Sequence, residues 1–165
     1  MRKVPLGTTI AYGMPGLGAG YMYLLMSLYV MKFSTDVLLI APAVMGVIFS
    51  ISRIWDAVSD PIAGYLSDRT TFKFGRRRTW MLISFIPISF GFLAVFSPPE
   101  SMQGQSLDLW MMIAILSFYS AITLLNVPHM ALGAELSEDY HERTRLFGVR
   151  PVSYTHLTLP TTPYV

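Results

Sequence analysis

The segment RIWDAVSDPIAGYLSDR, residues 53–69, places Arg53, Asp56 and Asp60 inside a stretch that is otherwise uncharged from Val37 to Leu66. At 100° per residue, Asp56 lies about 60° and Asp60 about 20° around the helix axis from Arg53, so the three share one stripe. At 1.5 Å per residue the stretch is long enough to cross a bilayer core of about 30 Å. A charge at the centre of a lone membrane helix costs about 2.5–3.5 kcal/mol on insertion scales, so the stripe is expected to face a bundle interior or a wet cavity. Composition argues against a soluble domain: the 165 residues are 53% hydrophobic and 13% charged, with a mean hydropathy of +0.49, whereas soluble domains carry about 25% charged residues.

Working outward, three more stretches suit membrane helices, at 6–31, 80–96 and 109–134. The first follows Arg2 and Lys3, as a signal-peptide core would, but no charge interrupts it from Leu6 to Met31. A signal core needs roughly 7–15 residues and a span roughly 20, so it is expected to be a retained helix. Gly13, Pro15, Gly16, Gly18, Gly20, Pro61, Pro87 and Pro128 fall inside these stretches, which membrane helices tolerate. Gly18 and Gly20 are expected to be packing positions. Of the 12 Lys and Arg residues, Arg2 and Lys3, then Arg69, Lys73, Arg76, Arg77 and Arg78, then Arg143, Arg145 and Arg150 fall in segments on one side of the spans, and the opposite loops hold only Lys32. The positive-inside rule therefore predicts a multi-pass cell-membrane protein with a cytoplasmic N-terminus and cytoplasmic segments between spans two and three and at 135–150.

Arg53 neutralises one of the two carboxylates in span two, which leaves one negative charge in need of a counter-ion. A proton serves if burial raises a carboxylate pKa, and a monovalent cation serves because carboxylate oxygens are hard ligands. The competing explanation is a structural Arg–Asp pair with Asp60 near the interface. In span four, Thr123 and Asn126 share one helix face. Spans two and four run in the same direction under this topology, which sets Asn126 at a depth similar to that of Asp60. Pro128 lacks an N–H and frees the Leu124 carbonyl as a further oxygen. An interhelical hydrogen bond is the plainer use of that polar pair.

The run 53–69, followed by Gly75 and Arg76–Arg78, resembles the signature of the glycoside-pentoside-hexuronide:cation symporters, a family of the major facilitator superfamily that includes the melibiose carrier. The segment from Asn126 to Glu135 and the residues around Arg143 and Arg145 are similar to the end of that family's fourth helix and its following loop. The resemblance covers about 6–150. It implies an all-α membrane protein, the first four helices of a twelve-helix major facilitator fold, whose two halves alternate access to move a sugar or glycoside with sodium or a proton. On this resemblance Asp56, Asp60, Ser59, Thr123 and Asn126 are cation-site positions, with sodium possible at Asp56 and Asp60. Asn126 and Arg150 are substrate-binding positions, and Arg53, Asp68, Arg69, Arg76, Arg77 and Arg78 form the charge pair and cytoplasmic gate. Three features depart from the melibiose carrier: the first helix has no acidic residue, Asn126 stands in place of an acid, and His129 follows Pro128 where an aromatic residue is usual. Melibiose itself is therefore not implied, and His129 is expected to be solvated or hydrogen-bonded.

Residues 1–150 are expected to form a partial N-terminal transporter half and 151–165, rich in Thr and Pro, a non-native adapter-derived tail. The expected partners are membrane lipid, a sugar-like solute and the C-terminal helices of the same carrier, with no nucleic acid and no cofactor besides the coupling ion. The absence of cysteine, of a Gly-rich phosphate loop and of a ligand cluster at metal spacing argues against an enzyme. A lysophospholipid symporter, a channel and a small structural membrane subunit are the alternatives.

Overall fold

The computed structural model describes residues 5–70, 75–136 and 144, with the side chains of Leu6 and Arg76 excepted. Four helices follow in chain order: α1 (Leu6–Lys32), α2 (Pro42–Arg69), α3 (Arg76–Phe96) and α4 (Gln105–Leu136). A π-helical turn, Phe33–Val37, continues α1. Arg2, Lys3, Lys73, Arg143, Arg145, Arg150 and the stretch 151–165 lie outside the described residues, as does nearly all of the loop expected at 135–150.

All four expected spans are helical, but their limits differ from the hydropathy reading. Val37 closes the turn after α1 and does not open α2. The Leu38 N–H bonds to the Phe33 carbonyl at 3.2 Å, Leu39 takes φ 56°, and α2 begins where Ala41 is extended and Pro42 sits in the first turn. Proline suits that position because its missing N–H would be unpaired there anyway. α3 starts at Arg76 and not Trp80, after Gly75 with φ 99°, a conformation that favours glycine. Hydropathy excluded the arginines, yet long basic side chains join a helix while their heads reach polar surroundings. α4 runs from Gln105 to Leu136 and not 109–134, beginning after Gly104 with φ 57°.

The chain divides into two compact units, Met1–Met26 with Met130–Val165, and Ser27–His129. In the first, the buried positions of α1 are Thr9, Tyr12, Gly13, Gly16, Ala19, Gly20 and Met26, a narrow stripe of mostly small residues. Ile10, Met14, Leu17 and Tyr21 are exposed. Gly20 belongs to the stripe, but Gly18 does not: it is exposed, and a Cβ added there meets nothing within 4 Å. The expectation of packing at Gly18 fails because it lies on the opposite side of the helix from Gly16 and Gly20.

The second unit is organised around α4. A Cβ built on Gly91 of α3 would lie 2.9 Å from Phe118 Cα, so the two backbones touch there. Trp110 Nε1 donates to the Ala94 carbonyl at 2.9 Å across the same pair. Phe92 lies beside Phe96 and Phe118, with ring centroids 4.9 and 6.2 Å away, and Phe33 reaches Phe96 at 5.3 Å. Trp110→Phe removes the indole N–H and leaves the Ala94 carbonyl without that donor. Its expected cost is about 1 kcal/mol, read as a lower unfolding midpoint in a detergent titration.

α3 shows why this arrangement belongs in lipid. Its buried stripe is Met81, Ser84, Ile88, Gly91 and Val95, while Leu82, Ile83, Phe85, Ile86, Phe90 and Leu93 are exposed. The outward face is more apolar and bulkier than the inward one. Water would penalise that pattern, whereas hydrocarbon removes the penalty and leaves close packing of small residues as the force between helices. α3 and α4 are also long and apolar enough to cross a membrane.

Candidate functional site on α2 and α4

Helices α2 and α4 run parallel and in register. Arg53 meets Tyr119, Trp55 meets Ser120, and Asp60 meets Thr123, while a Cβ on Gly64 would lie 3.7 Å from Val127. The covered face of α2 steps in threes and fours through Met45, Ile48, Ser52, Asp56, Ser59, Ala63 and Ser67, with Asp56 and Ser59 half-buried. Apolar residues therefore leave this face along the middle of the helix, and polar ones take their place. The charged stripe is split by it: Asp56 sits on the packed side, and Arg53 and Asp60 on an exposed flank. That departs from the expectation that all three face a common interior.

The two carboxylates have different partners. Asp60 Oδ1 accepts a hydrogen bond from Thr123 Oγ1 at 3.1 Å. Asp56 Oδ2 is 3.3 Å from Arg53 Nη1. Asp56 Oδ1 is buried and has no hydrogen-bond partner among the described residues. Ser59 Oγ donates to the backbone carbonyl of Asp56 at 3.3 Å, so its hydroxyl stands at the level of both acids. Asn126 is half-buried one turn beyond Thr123 on α4. Pro61 and Pro128 each deny an N–H to the carbonyl four residues earlier, at Ala57 and Leu124, which adds two backbone oxygens one helical step from Asp56 and Thr123. The side chains of Asp56, Ser59, Asp60, Thr123 and Asn126 offer two carboxylates, two hydroxyls and an amide, and across the helix pair the structure joins Asp60 to Thr123. No group of three or more His, Cys, Asp or Glu suited to a metal ion occurs among the described residues.

Arg53 is held by more than its acid. Its Nη2 donates to Tyr119 Oη at 3.3 Å, and its guanidinium carbon is 5.0 Å from the Tyr119 ring centroid. The Arg53 side chain is 54% exposed, whereas Tyr119 is 3% exposed. An (i, i+3) ion pair on a helix surface contributes about 0.2–0.5 kcal/mol, which does not match the roughly 2 kcal/mol of rotamer entropy in an arginine side chain. A charged hydrogen bond of about 1.5–3 kcal/mol and a cation–π contact of about 0.5–1 kcal/mol do. Of these two holds on the exposed arginine, the buried tyrosine is the stronger. Sequence reading passed over Tyr119, although it stands one turn before Thr123 on the same helix; extending the Thr123–Asn126 stripe backwards reaches it. Trp55 and Ser120, joined through Trp55 Nε1 at 2.7 Å, lie off that stripe and carried no comparable signal.

At the other end of α2, Arg77 Nη2 lies 3.3 Å from Asp68 Oδ1, tying the end of α2 to the start of α3. Arg69 donates to Tyr65 Oη and lies over that ring at 5.1 Å. Arg78 is exposed. The Arg76 side chain and Arg150 fall outside the described set. His129 is 1% exposed, so it is a buried histidine; α4 turns it inward beside Pro128, which rules out the solvated alternative.

The profile of a family described as MFS/sugar transport protein matches residues 11–159. An uncharacterised symporter of Synechocystis sp. is 36% identical over 153 residues, 90% of this chain and 28% of that protein. An isoprimeverose transporter of Lactiplantibacillus pentosus is 26% identical over 147 residues, 89% of this chain and 30% of the relative. A sodium-dependent lysophosphatidylcholine symporter of Danio rerio is 33% identical over 112 residues, 67% of this chain and 21% of the relative. The chain spans less than a third of the length of each of these proteins.

Proposed function

Because the chain belongs to the MFS/sugar transport protein family and its four helices fit the N-terminal part of a major facilitator fold, we propose that it supplies the cation-binding half of a symporter for a glycoside-like sugar. The family is one of membrane-embedded transporters, and the remaining helices of such a carrier would close the solute cavity. One observation carries the reading: Thr123 of α4 holds the carboxylate of Asp60 on α2, one turn from the Asp56–Arg53 pair. Two acids and one base leave a net negative charge within an oxygen-rich set, which suits sodium or a proton.

In this reading Asp56 and Asp60 take the coupling ion, with Ser59, Thr123 and Asn126 completing its oxygens, and Asn126 and Arg150 contact the solute. Asp68, Arg69, Arg76, Arg77 and Arg78 stabilise the cytoplasmic gate, with the N-terminus on the same side. The pairing of Asp68 with Arg77 supports a charge network there. A second reading keeps the ion site and changes the cargo to a lysophospholipid. It draws on the Danio rerio relative and on the apolar outer surface of α3.

The test is uptake into vesicles by the carrier bearing this segment, with a labelled glycoside and a labelled lysophospholipid, under an imposed sodium or proton gradient. Saturable glycoside accumulation that follows one gradient supports the proposal. Lysophospholipid uptake favours the second reading, and uptake indifferent to both gradients defeats the coupling role. Thr123→Val removes one hydroxyl from a charged acceptor, so the ion concentration for half-maximal uptake is expected to rise roughly tenfold. An unchanged value would remove Thr123 from the site.

A further inference from the structure

We propose that Tyr119 is a positioning residue for this ion site: its phenol and ring hold the Arg53 guanidinium on Asp56 and keep it off Asp60. The inference rests on the cation-site reading for its consequence and on geometry for its substance. Arg53 and Asp60 stand on nearly the same line of α2, about 10.5 Å apart along the axis, within the combined reach of an extended arginine and an aspartate. On α2 the guanidinium is held by the (i, i+3) pair with Asp56, a weak hold on a helix surface. A further hold against the swing comes from α4, where the buried Tyr119 accepts from Nη2 at 3.3 Å and places its ring 5.0 Å from the guanidinium carbon. The same guanidinium presents Nη1 to Asp56 Oδ2 at 3.3 Å. Arg53 is thereby divided between an acid and a phenol, and Asp60 keeps a neutral partner, the Thr123 hydroxyl. An arginine released onto Asp60 would compete with the coupling ion as an internal cation.

Two contacts on Arg53 make the assignment testable, the one with Asp56 on α2 and the one with Tyr119 on α4. Trp55 is fastened elsewhere, to Ser120, and Ser120 in turn donates to the Leu116 carbonyl at 2.7 Å. Tyr119, in contrast, is set directly against Arg53.

The experiment uses the full chain in lipid nanodiscs and follows the modification of individual arginines by phenylglyoxal, located by peptide mass spectrometry. Arg77, paired with Asp68, is the internal reference. Tyr119→Phe is expected to speed modification of Arg53 roughly three- to tenfold by removing one charge-assisted hydrogen bond, and Tyr119→Leu to add about a further twofold by removing the ring. Arg77 should keep its rate in both. An Arg53 rate equal to that of the parent, or a rise shared by Arg77, would overturn the proposal, the second by reducing Tyr119 to a general packing role. Sodium titration of the same samples then reads the consequence. Tyr119→Phe should weaken sodium binding roughly three- to tenfold and should have no effect when Arg53→Gln is already present, because a positioning residue acts only through the side chain it positions. A loss of sodium affinity that persists in the Arg53→Gln background overturns the proposal. A parent chain that binds no sodium counts against the ion-site reading, while the arginine rates still decide the role of Tyr119.

Discussion

Asp60→Asn is expected to abolish ion-driven accumulation by the carrier while leaving the helices intact. Asparagine is nearly isosteric with aspartate, and its carbonyl oxygen can still accept the Thr123 hydroxyl bond measured at 3.1 Å. The substitution therefore removes charge and little else. With Asp56 already opposed by Arg53, losing the Asp60 charge brings the local sum from one negative to zero, and a cation no longer has a net charge to neutralise. Losing one contact to a charged group costs about 1.5–3 kcal/mol, so ion affinity should fall by roughly ten- to a hundredfold. Uptake down a solute gradient, which needs no ion, should be less affected than accumulation against it. The measurement is a pair of assays on the same vesicles, accumulation under a sodium or proton gradient and exchange at equilibrium. A variant that still accumulates solute normally would show that Asp60 is structural and would return the site to the plainer reading of an Arg–Asp pair beside an interfacial acid.

Gly91→Leu should be the most disruptive single change to the fold among the glycines described. The atoms a new Cβ would meet are Phe118 Cα at 2.9 Å, and Phe118 N and Cβ at 3.1 Å. Two of these are main-chain atoms of α4 and cannot rotate out of the way, so α3 and α4 must part. Overpacking of this kind costs about 1–3 kcal/mol, and separation also lengthens the Trp110–Ala94 bond. The expected result is a clear drop in the denaturant or detergent midpoint for Gly91→Ala and a larger one for Gly91→Leu. Gly18→Ala is the control. Open space surrounds that position, and alanine is favoured over glycine in a helix interior by up to about 1 kcal/mol, so the midpoint should hold or rise. Equal losses at both positions would mean that the close approach at Gly91 does not hold the helices together.

The four helices were legible because each is a long apolar run, and length against bilayer thickness is a one-dimensional property. Their ends were less legible. Hydropathy reports composition and not direction, so Val37 was assigned to the wrong helix, and Arg76–Arg78, helical in α3, looked like loop. Gly18 and Gly20 looked alike as letters; a turn of 200° between them separates an open surface from a buried stripe. Gly91 carried no signal, because its importance belongs to the Phe118 backbone, 27 residues further along the chain.

For the site, the sequence by itself determined the inventory: two acids and a base on one line of a membrane helix, a charge excess, and a threonine and asparagine on a parallel helix at matching depth. Those follow from periodicity, which any helix imposes on its own residues. Only the tertiary structure decided which acid each partner serves. The register between α2 and α4 brought Thr123 to Asp60 and Tyr119 to Arg53, and so distinguished a carboxylate with a neutral partner from one with a counter-charge. Register between two helices depends on how their surfaces interlock, at Gly64 against Val127 and along the packed face of each, and that fit is a property of the pair that neither helix carries alone.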